Sequence, residues 1–118
     1  GDEPLEELTL CEQDGGQIER VPCRHAFVYI GATPHTEWLS DTLRCDQHGF
    51  ICTGPSLLAE GARPPGWTLD RDPFYLESSV PGVFAAGDVR SQSVKRVASA
   101  VGEGAMAVAL IHRYLEER

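Results

Sequence analysis

The 118-residue sequence lacks the features of membrane proteins, secreted proteins and nucleic-acid-binding proteins. No apolar run approaches the roughly 18 uninterrupted residues that a membrane span requires. The N-terminus has neither the basic start nor the apolar stretch of a signal peptide. The first nineteen residues contain no lysine or arginine, and the net charge is −8. We therefore expect a cytoplasmic protein with no membrane and no nucleic acid among its partners.

Cysteine pairs are missing as well. None of the four cysteines forms a C-x-x-C pair, which excludes a zinc ribbon and a dithiol redox motif. Residues 45–52 combine two thiols with Asp46 and His48, but their spacing matches no familiar metal frame. We expect ordinary reduced thiols and no metal site. The four residues are Cys11, Cys23, Cys45 and Cys52.

The chain also lacks a phosphate-binding glycine loop. No G-x-G-x-x-G follows a predicted strand, and Gly102-Glu103-Gly104 lies within a predicted helix. Because Gly1 is not a methionine, we expect the chain to be part of a longer gene product.

Periodic segments are present on both sides of a glycine-rich middle. Alternating apolar and polar residues around Asp14-Gly15-Gly16 predict a β-hairpin with arms near 5–11 and 17–22. Continuous short apolar runs at 26–30 and 83–86 predict buried core strands. Residues 54–73 are rich in glycine and proline, so we expect an irregular loop that Trp67 anchors.

A long C-terminal helix is predicted next, with Ser91 or Ser93 as its cap. Its small residues permit close packing on a sheet or a flat ligand. Its apolar positions recur at spacings of three and four: Val94, Val97, Val101, Ala105, Val108, Ile111 and Leu115.

The junction between the second strand and this helix is the candidate site. Ligands bind beyond the carboxyl ends of parallel strands, and Gly87-Asp88 stands at such an end. The same dipeptide is also common in Asx turns, so both interpretations stay open. Arg90, Lys95 and Arg96 form a basic cluster that suits either an anionic group or a solvated helix entrance.

Two motifs carry a family resemblance. "SSVPGVFAAGDVR" at 78–90, before an Ala/Gly-rich helix, resembles the C-terminal FAD-binding segment of thioredoxin reductase-like pyridine nucleotide-disulfide oxidoreductases. "FVYIGATPHTEWL" at 27–39 is similar to the segment that closes the family's nicotinamide-binding domain, and "HGFICT" at 48–53 to a following strand. The resemblance covers nearly the whole chain.

The resemblance implies an α/β fragment of a Rossmann-like FAD/NAD(P)-binding two-domain fold. Residues 1–30 would end the nicotinamide-binding domain, and 31–118 would form the C-terminal part of the FAD-binding domain. FAD is the implied cofactor, with NAD(P)H as electron donor, and no catalytic residue is expected in this chain. The implied cofactor-binding residues are Gly87, Asp88, Lys95, Arg96 and Val97, the last three standing where thioredoxin reductases usually show Arg-Gln-Ala.

The parent protein would pass electrons from NAD(P)H through FAD to a disulfide or another acceptor. We expect the isolated chain to be inactive, because the nucleotide loops and a C-x-x-C are absent from it. Its partner would be the remainder of the parent flavoenzyme, with a homodimer as a further possibility. The alternative is a non-catalytic binding or assembly module that keeps the flavoprotein scaffold.

Overall fold

The computed structural model describes residues 4–13, 15–58 and 61–117, and the chain divides into two compact units, Gly1–Gly31 and Ala32–Arg118. This division falls one residue from the domain boundary expected from the sequence. The assignment of the units to a nicotinamide-binding and an FAD-binding domain stays a prediction. Among the described residues, no helix has the length and apolar character needed to cross a membrane.

The first unit is built on the predicted hairpin. Strand β1, Glu7–Cys11, pairs antiparallel with strand β2, Ile18–Pro22. Gly15 has a φ of 75° in the connection, a conformation that glycine adopts without steric cost. The hairpin prediction is confirmed, with strand ends within two residues of those expected.

The apolar run 26–30 differs from its prediction. No described strand pairs with it, and the side chains of Phe27 and Ile30 are 78% and 89% exposed. A central strand of a parallel sheet needs neighbours on both edges, and the described residues provide neither. The run therefore has the sequence of a buried strand, but no described residues form a sheet with it.

The core of the second unit forms around Ile51. Its amide donates to the Val89 carbonyl at 3.0 Å, and its carbonyl accepts from the Ser91 amide at 2.8 Å. It thus pairs with Arg90 in parallel and with Cys45 antiparallel. These bonds bring the segment that follows Gly49 beside the candidate site. The buried residues of this cluster are Leu43, Ile51 and Ala85.

The predicted strand 83–86 forms a short antiparallel pair with the segment before it. Phe84 lies opposite Glu77, and the Ala85 amide donates to the Leu76 carbonyl at 2.9 Å. The chain reverses at Pro81-Gly82, with Gly82 at a φ of 81°. Ala85 is buried, and the chain then enters a 3-10 turn, Gly87–Val89.

The described residues of the loop, 54–58 and 61–73, are largely irregular, as expected, apart from a 3-10 turn at Gly54–Leu57. The Trp67 indole Nε1 donates to the Arg71 carbonyl at 2.7 Å. The ring is partly buried, so Trp67 does anchor the loop.

The C-terminal helix, α1, spans Val97–Glu116, and its start corrects the sequence prediction. Its N-cap is Arg96, and neither Ser91 nor Ser93 caps it. Gln92 and Lys95 have φ values of 61° and 55°, in the left-handed region, so the chain cannot become helical before them. The serine hydroxyls bond elsewhere, Ser91 to the Asp46 carboxylate at 2.7 Å.

The packing face of α1 also differs from the predicted stripe. Val97, Val101 and Leu115 of that stripe are 83%, 69% and 58% exposed. The helix instead contacts the unit through Glu103 and through Tyr114, whose ring lies edge-on to Phe84 at 6.3 Å between centroids. The helix therefore has an apolar face that no described residue buries.

Candidate functional site

The candidate site is the turn that links the Phe84 segment to α1. The Arg90 amide closes the turn on the Gly87 carbonyl at 3.1 Å. Gly87 has a φ of 77°, and a Cβ added there would lie 3.2 Å from the Ala100 Cβ on α1. Glycine therefore meets both the backbone conformation and the close approach of the helix.

A single helix carboxylate holds this turn. Glu103 Oε2 accepts from the Gly87 amide at 2.6 Å and from Arg90 Nε at 3.1 Å. Its other oxygen accepts from Arg90 Nη2. The hydrogen bonds from Arg90 and then from Gly87 lower the pKa of Glu103 against the opposing effect of burial. The carboxylate is therefore ionised and fully engaged at neutral pH.

Sequence analysis did not identify Glu103 as a site residue. The available signal was an acidic residue within an otherwise small and apolar helical stretch, sixteen residues after a buried glycine amide. Such an acid needs a partner when it is buried.

Arg90 is accounted for by this pair. Its side chain is only 8% exposed, and its guanidinium also lies 5.1 Å from the centroid of the Tyr75 ring. Of the expected basic cluster, Arg90 is thus separated from Lys95 and Arg96, because Glu103 neutralises the charge of Arg90.

Asp88 occupies the middle of the turn and is exposed. Within the described part of the chain, its carboxylate accepts no hydrogen bond. Its backbone carbonyl accepts from Lys95 Nζ at 3.0 Å. The Asx-turn interpretation needs a nearby backbone amide that donates to this carboxylate, and the described contacts contain none. Asp88 thus offers a carboxylate with its acceptor capacity intact.

Lys95 is used to shape the loop. Its ammonium bonds the Asp88 carbonyl and the Ser93 hydroxyl, and it lies 3.7 Å from the centroid of the Phe50 ring. The structure thus brings Lys95 into direct contact with Asp88, and so next to Gly87.

Arg96 and Val97 mark the start of α1. Both are exposed, and Arg96 has extended backbone at the N-cap position. The Ala100 amide is the first to bond back, to the Arg96 carbonyl at 2.9 Å. The amides of 97–99 donate to no group in the described residues. They form a short row of free donors at the positive end of a 20-residue helix.

Asp46 supports the same loop from the other side. Its Oδ1 accepts from the His48 and Phe50 amides at 2.9 and 3.0 Å, while Oδ2 accepts from Ser91 Oγ. Burial alone would raise the pKa of Asp46, but these hydrogen bonds lower it. Asp46 therefore stabilises this loop, which includes Phe50, and the Phe50 ring lies against the Lys95 ammonium.

Cys45 is partly buried and Cys52 is buried, and both are free thiols. Burial raises the pKa of Cys45 and of Cys52, so both thiols are protonated at neutral pH. No group of three potential metal-ligating side chains occurs in the ranges that the structure describes.

Comparison with family models found no match. The chain is 27% identical to thioredoxin reductase from Bacillus subtilis over 93% of its length, covering 29% of that protein. It is 30% identical to NADH dehydrogenase from the same organism over 98% of its length, covering 19% of that protein.

A solved structure agrees. Thioredoxin reductase from Streptococcus pyogenes matches 98% of the chain with a TM-score of 0.65 and 27% identity. The resemblance and the fold class predicted from the sequence are thereby confirmed. The chain has part of the Rossmann-like thioredoxin reductase fold, and it spans between 19% and 31% of the length of these relatives.

Proposed function

We propose that this chain is the C-terminal part of an FAD-dependent oxidoreductase related to thioredoxin reductase. In the complete protein, electrons pass from NAD(P)H through FAD to a disulfide or another acceptor. The observation that carries the proposal is the Asp88 carboxylate, which is exposed and free of bonds to described residues at a turn that Glu103 fixes. Similarity to thioredoxin reductases over nearly the whole chain supports it.

The residues present suit a flavin. A carboxylate binds sugar and polyol hydroxyls as an acceptor, which fits Asp88 to the ribityl chain. The free amides that follow Lys95 and Arg96, beginning with Val97, suit the N1–C2=O edge of the isoalloxazine ring. Gly87 lets the turn lie close against the helix. When bound, FAD supplies the two-electron chemistry, while the protein supplies orientation and electrostatics.

The helix start also explains how this segment influences the flavin. Negative charge near a helix N-terminus is stabilised by about 0.3–1 kcal/mol at an exposed site. Amides of 97–99 therefore favour an anionic ring edge. Lys95 and Arg96 would add positive charge next to these amides, although the Lys95 ammonium already bonds the Asp88 carbonyl.

The two units are assigned accordingly. Residues 1–30 end the nicotinamide-binding domain, and 31–118 complete the FAD-binding domain. The isolated chain is inactive, since its sequence contains no glycine-rich nucleotide loop. The complete enzyme is cytoplasmic.

Exposed apolar surfaces support the assignment to a larger assembly. The run 26–30 and the outer face of α1 are uncovered, and surfaces of this kind mark interfaces. The remainder of the parent flavoenzyme covers them in this proposal. The same surfaces favour a second candidate, a non-catalytic assembly module that pairs with itself or with another chain. The reading frame upstream of residue 1 separates the two.

The experiment is the Asp88→Ala substitution in the full-length flavoenzyme. We expect FAD affinity to fall by about tenfold or more, because a hydrogen bond to a charged group contributes roughly 1.5–3 kcal/mol. Folding should change little, since the carboxylate contacts no described residue. Asp41→Ala, at another exposed aspartate, is the matched control. Equal FAD content in both variants after dialysis, at equal stability, would reject the assignment.

A further inference from the structure

We propose that Glu103 is a positioning residue of the flavin site, which together with Arg90 fixes the turn Gly87–Val89 so that Asp88 presents an unpaired carboxylate to the ligand. This inference rests on the proposed function, since it assumes that Asp88 is the residue that binds.

The Glu103 carboxylate accepts hydrogen bonds from residues on both sides of Asp88 in the chain. The amide that precedes Asp88 by one residue, that of Gly87, donates to Glu103 Oε2 at 2.6 Å. The side chain that follows Asp88 by two residues, that of Arg90, reaches the same carboxylate through Nε and Nη2. A planar guanidinium fork allows little rotation once both its nitrogens are bonded. The backbone on each side of Asp88 is therefore fixed from a single point on α1.

The Arg90 side chain is in turn held at its own position. Its Nη1 donates to the Ser91 carbonyl at 3.3 Å, and the Tyr75 ring lies beneath the guanidinium. The Val89 carbonyl accepts from the Ile51 amide at 3.0 Å. The described polar contacts of the turn involve Gly87, Val89, Arg90 and the Asp88 carbonyl, and the Asp88 carboxylate is the group that stays available.

Fixing the turn in advance increases affinity, because less conformational freedom is lost when the ligand binds. Three N–H donors face the Glu103 carboxylate. A glutamine there has one acceptor oxygen, and its amide N–H groups would face donors. Glu103→Gln should therefore loosen the turn without changing any atom that touches the flavin.

The test is a double-mutant cycle in the full-length flavoenzyme, with Glu103→Gln, Asp88→Asn and the double variant. The FAD dissociation constant is measured by titrating each apoprotein with FAD and following flavin fluorescence. The free energy of unfolding of each apoprotein is measured in parallel. Glu117→Gln is the control. Glu117, the residue after α1, also accepts hydrogen bonds from arginines, but it lies away from the turn.

We expect Glu103→Gln to raise the FAD dissociation constant about tenfold when Asp88 is present. In the Asp88→Asn background the same substitution should change the constant by less than about twofold, because the two residues act through one contact. Glu117→Gln should leave the constant unchanged.

An equal effect of Glu103→Gln in both backgrounds would show a general structural role and overturn the proposal. No effect in the Asp88 background would also overturn it. An unchanged constant for Asp88→Asn alone would reject the proposed binding role of Asp88, and with it this role of Glu103. If Glu103→Gln does not fold, Arg90→Lys provides the same cycle, since one ammonium cannot replace the fork.

Discussion

Two glutamates in this unit, Glu77 and Glu103, each hold a tight turn together with an arginine, but the two turns differ. Each carboxylate accepts hydrogen bonds from the backbone of its turn and from two nitrogens of one arginine. Glu77 bonds the Phe74 and Gly82 amides, both at 2.9 Å, and Arg71 through two nitrogens. Glu103 bonds the Gly87 amide and Arg90.

The surroundings of the two pairs differ. Arg71 lies 3.7 Å from the centroid of the Phe74 ring and also bonds Glu117, the residue after α1, at 2.9 Å. The Glu77 side chain is fully buried. At Glu103 the turn leaves the Asp88 carboxylate exposed and without a described partner. The same arrangement of a glutamate and an arginine therefore accompanies a closed turn at Glu77 and a turn with an available carboxylate at Glu103, where we propose that the ligand binds.

The largest expected effect comes from breaking the closed turn. Glu77→Ala leaves Arg71 and two amides without their acceptor, so we expect a loss of about 3–5 kcal/mol in the free energy of unfolding. FAD affinity of the protein that remains folded should not change. Urea denaturation of the full-length protein measures the first quantity.

Glu117→Ala is the matched control, because it removes an exposed carboxylate from the same arginine. It should cost less than about 1 kcal/mol. Equal losses for the two variants would show that Glu77 is no more important than a surface ion pair, and the comparison between the turns would then fail.

A smaller effect is expected at Gly82, the reversal point of the closed turn. A Cβ there would lie 2.6 Å from Tyr114 Cζ, and the φ of 81° is unfavourable for alanine. We expect Gly82→Ala to destabilise the protein by about 1–3 kcal/mol. Thermal unfolding followed by circular dichroism gives the difference.

Gly66→Ala isolates the contact with Tyr114. Gly66 has nearly the same φ, 82°, but a Cβ there would meet nothing within 4 Å. It should therefore cost only the backbone strain. If both alanines cost the same, the packing of Tyr114 on this turn contributes nothing measurable.

The sequence predicted the elements whose signals are local. The hairpin depends on alternation and on glycines at the turn, and the reversal at Pro81-Gly82 depends on turn chemistry, so both could be predicted. The resemblance identified the Gly87-Asp88 turn as the candidate site. The left-handed conformations of Gln92 and Lys95 gave no such signal, and the start of α1 was therefore predicted too early.

The packing of α1 could not be predicted from its apolar period. Valines at 97 and 101 define the most hydrophobic stripe, yet the helix contacts this unit through Glu103 and Tyr114. A charged residue that is buried because it is paired cannot be told from an exposed one by its sequence, since most charged residues are exposed. Glu103 and Asp46 were missed as supports of the site for this reason, because Arg90 lies 13 residues from Glu103 and Ser91 lies 45 residues from Asp46.

The smallest expected effect is the pH dependence of the open turn. The pKa of Glu103 is lowered below its ordinary value of 4.5, chiefly by the hydrogen bond from Arg90. The folded state therefore binds this proton less readily than the unfolded state. The stabilisation is complete above pH 4.5 and is lost as the pH falls through the lowered pKa.

Glu103→Gln cannot lose a charge at that position, so the difference in unfolding free energy between wild type and variant should shrink on acidification. We expect the change to be smaller than the effect of Gly82→Ala. Denaturation at neutral pH and at several values below pH 4.5 measures it. A difference between wild type and Glu103→Gln that stays constant with pH would show that Glu103 stabilises the turn by shape alone, and Arg90 would then need another explanation for its burial.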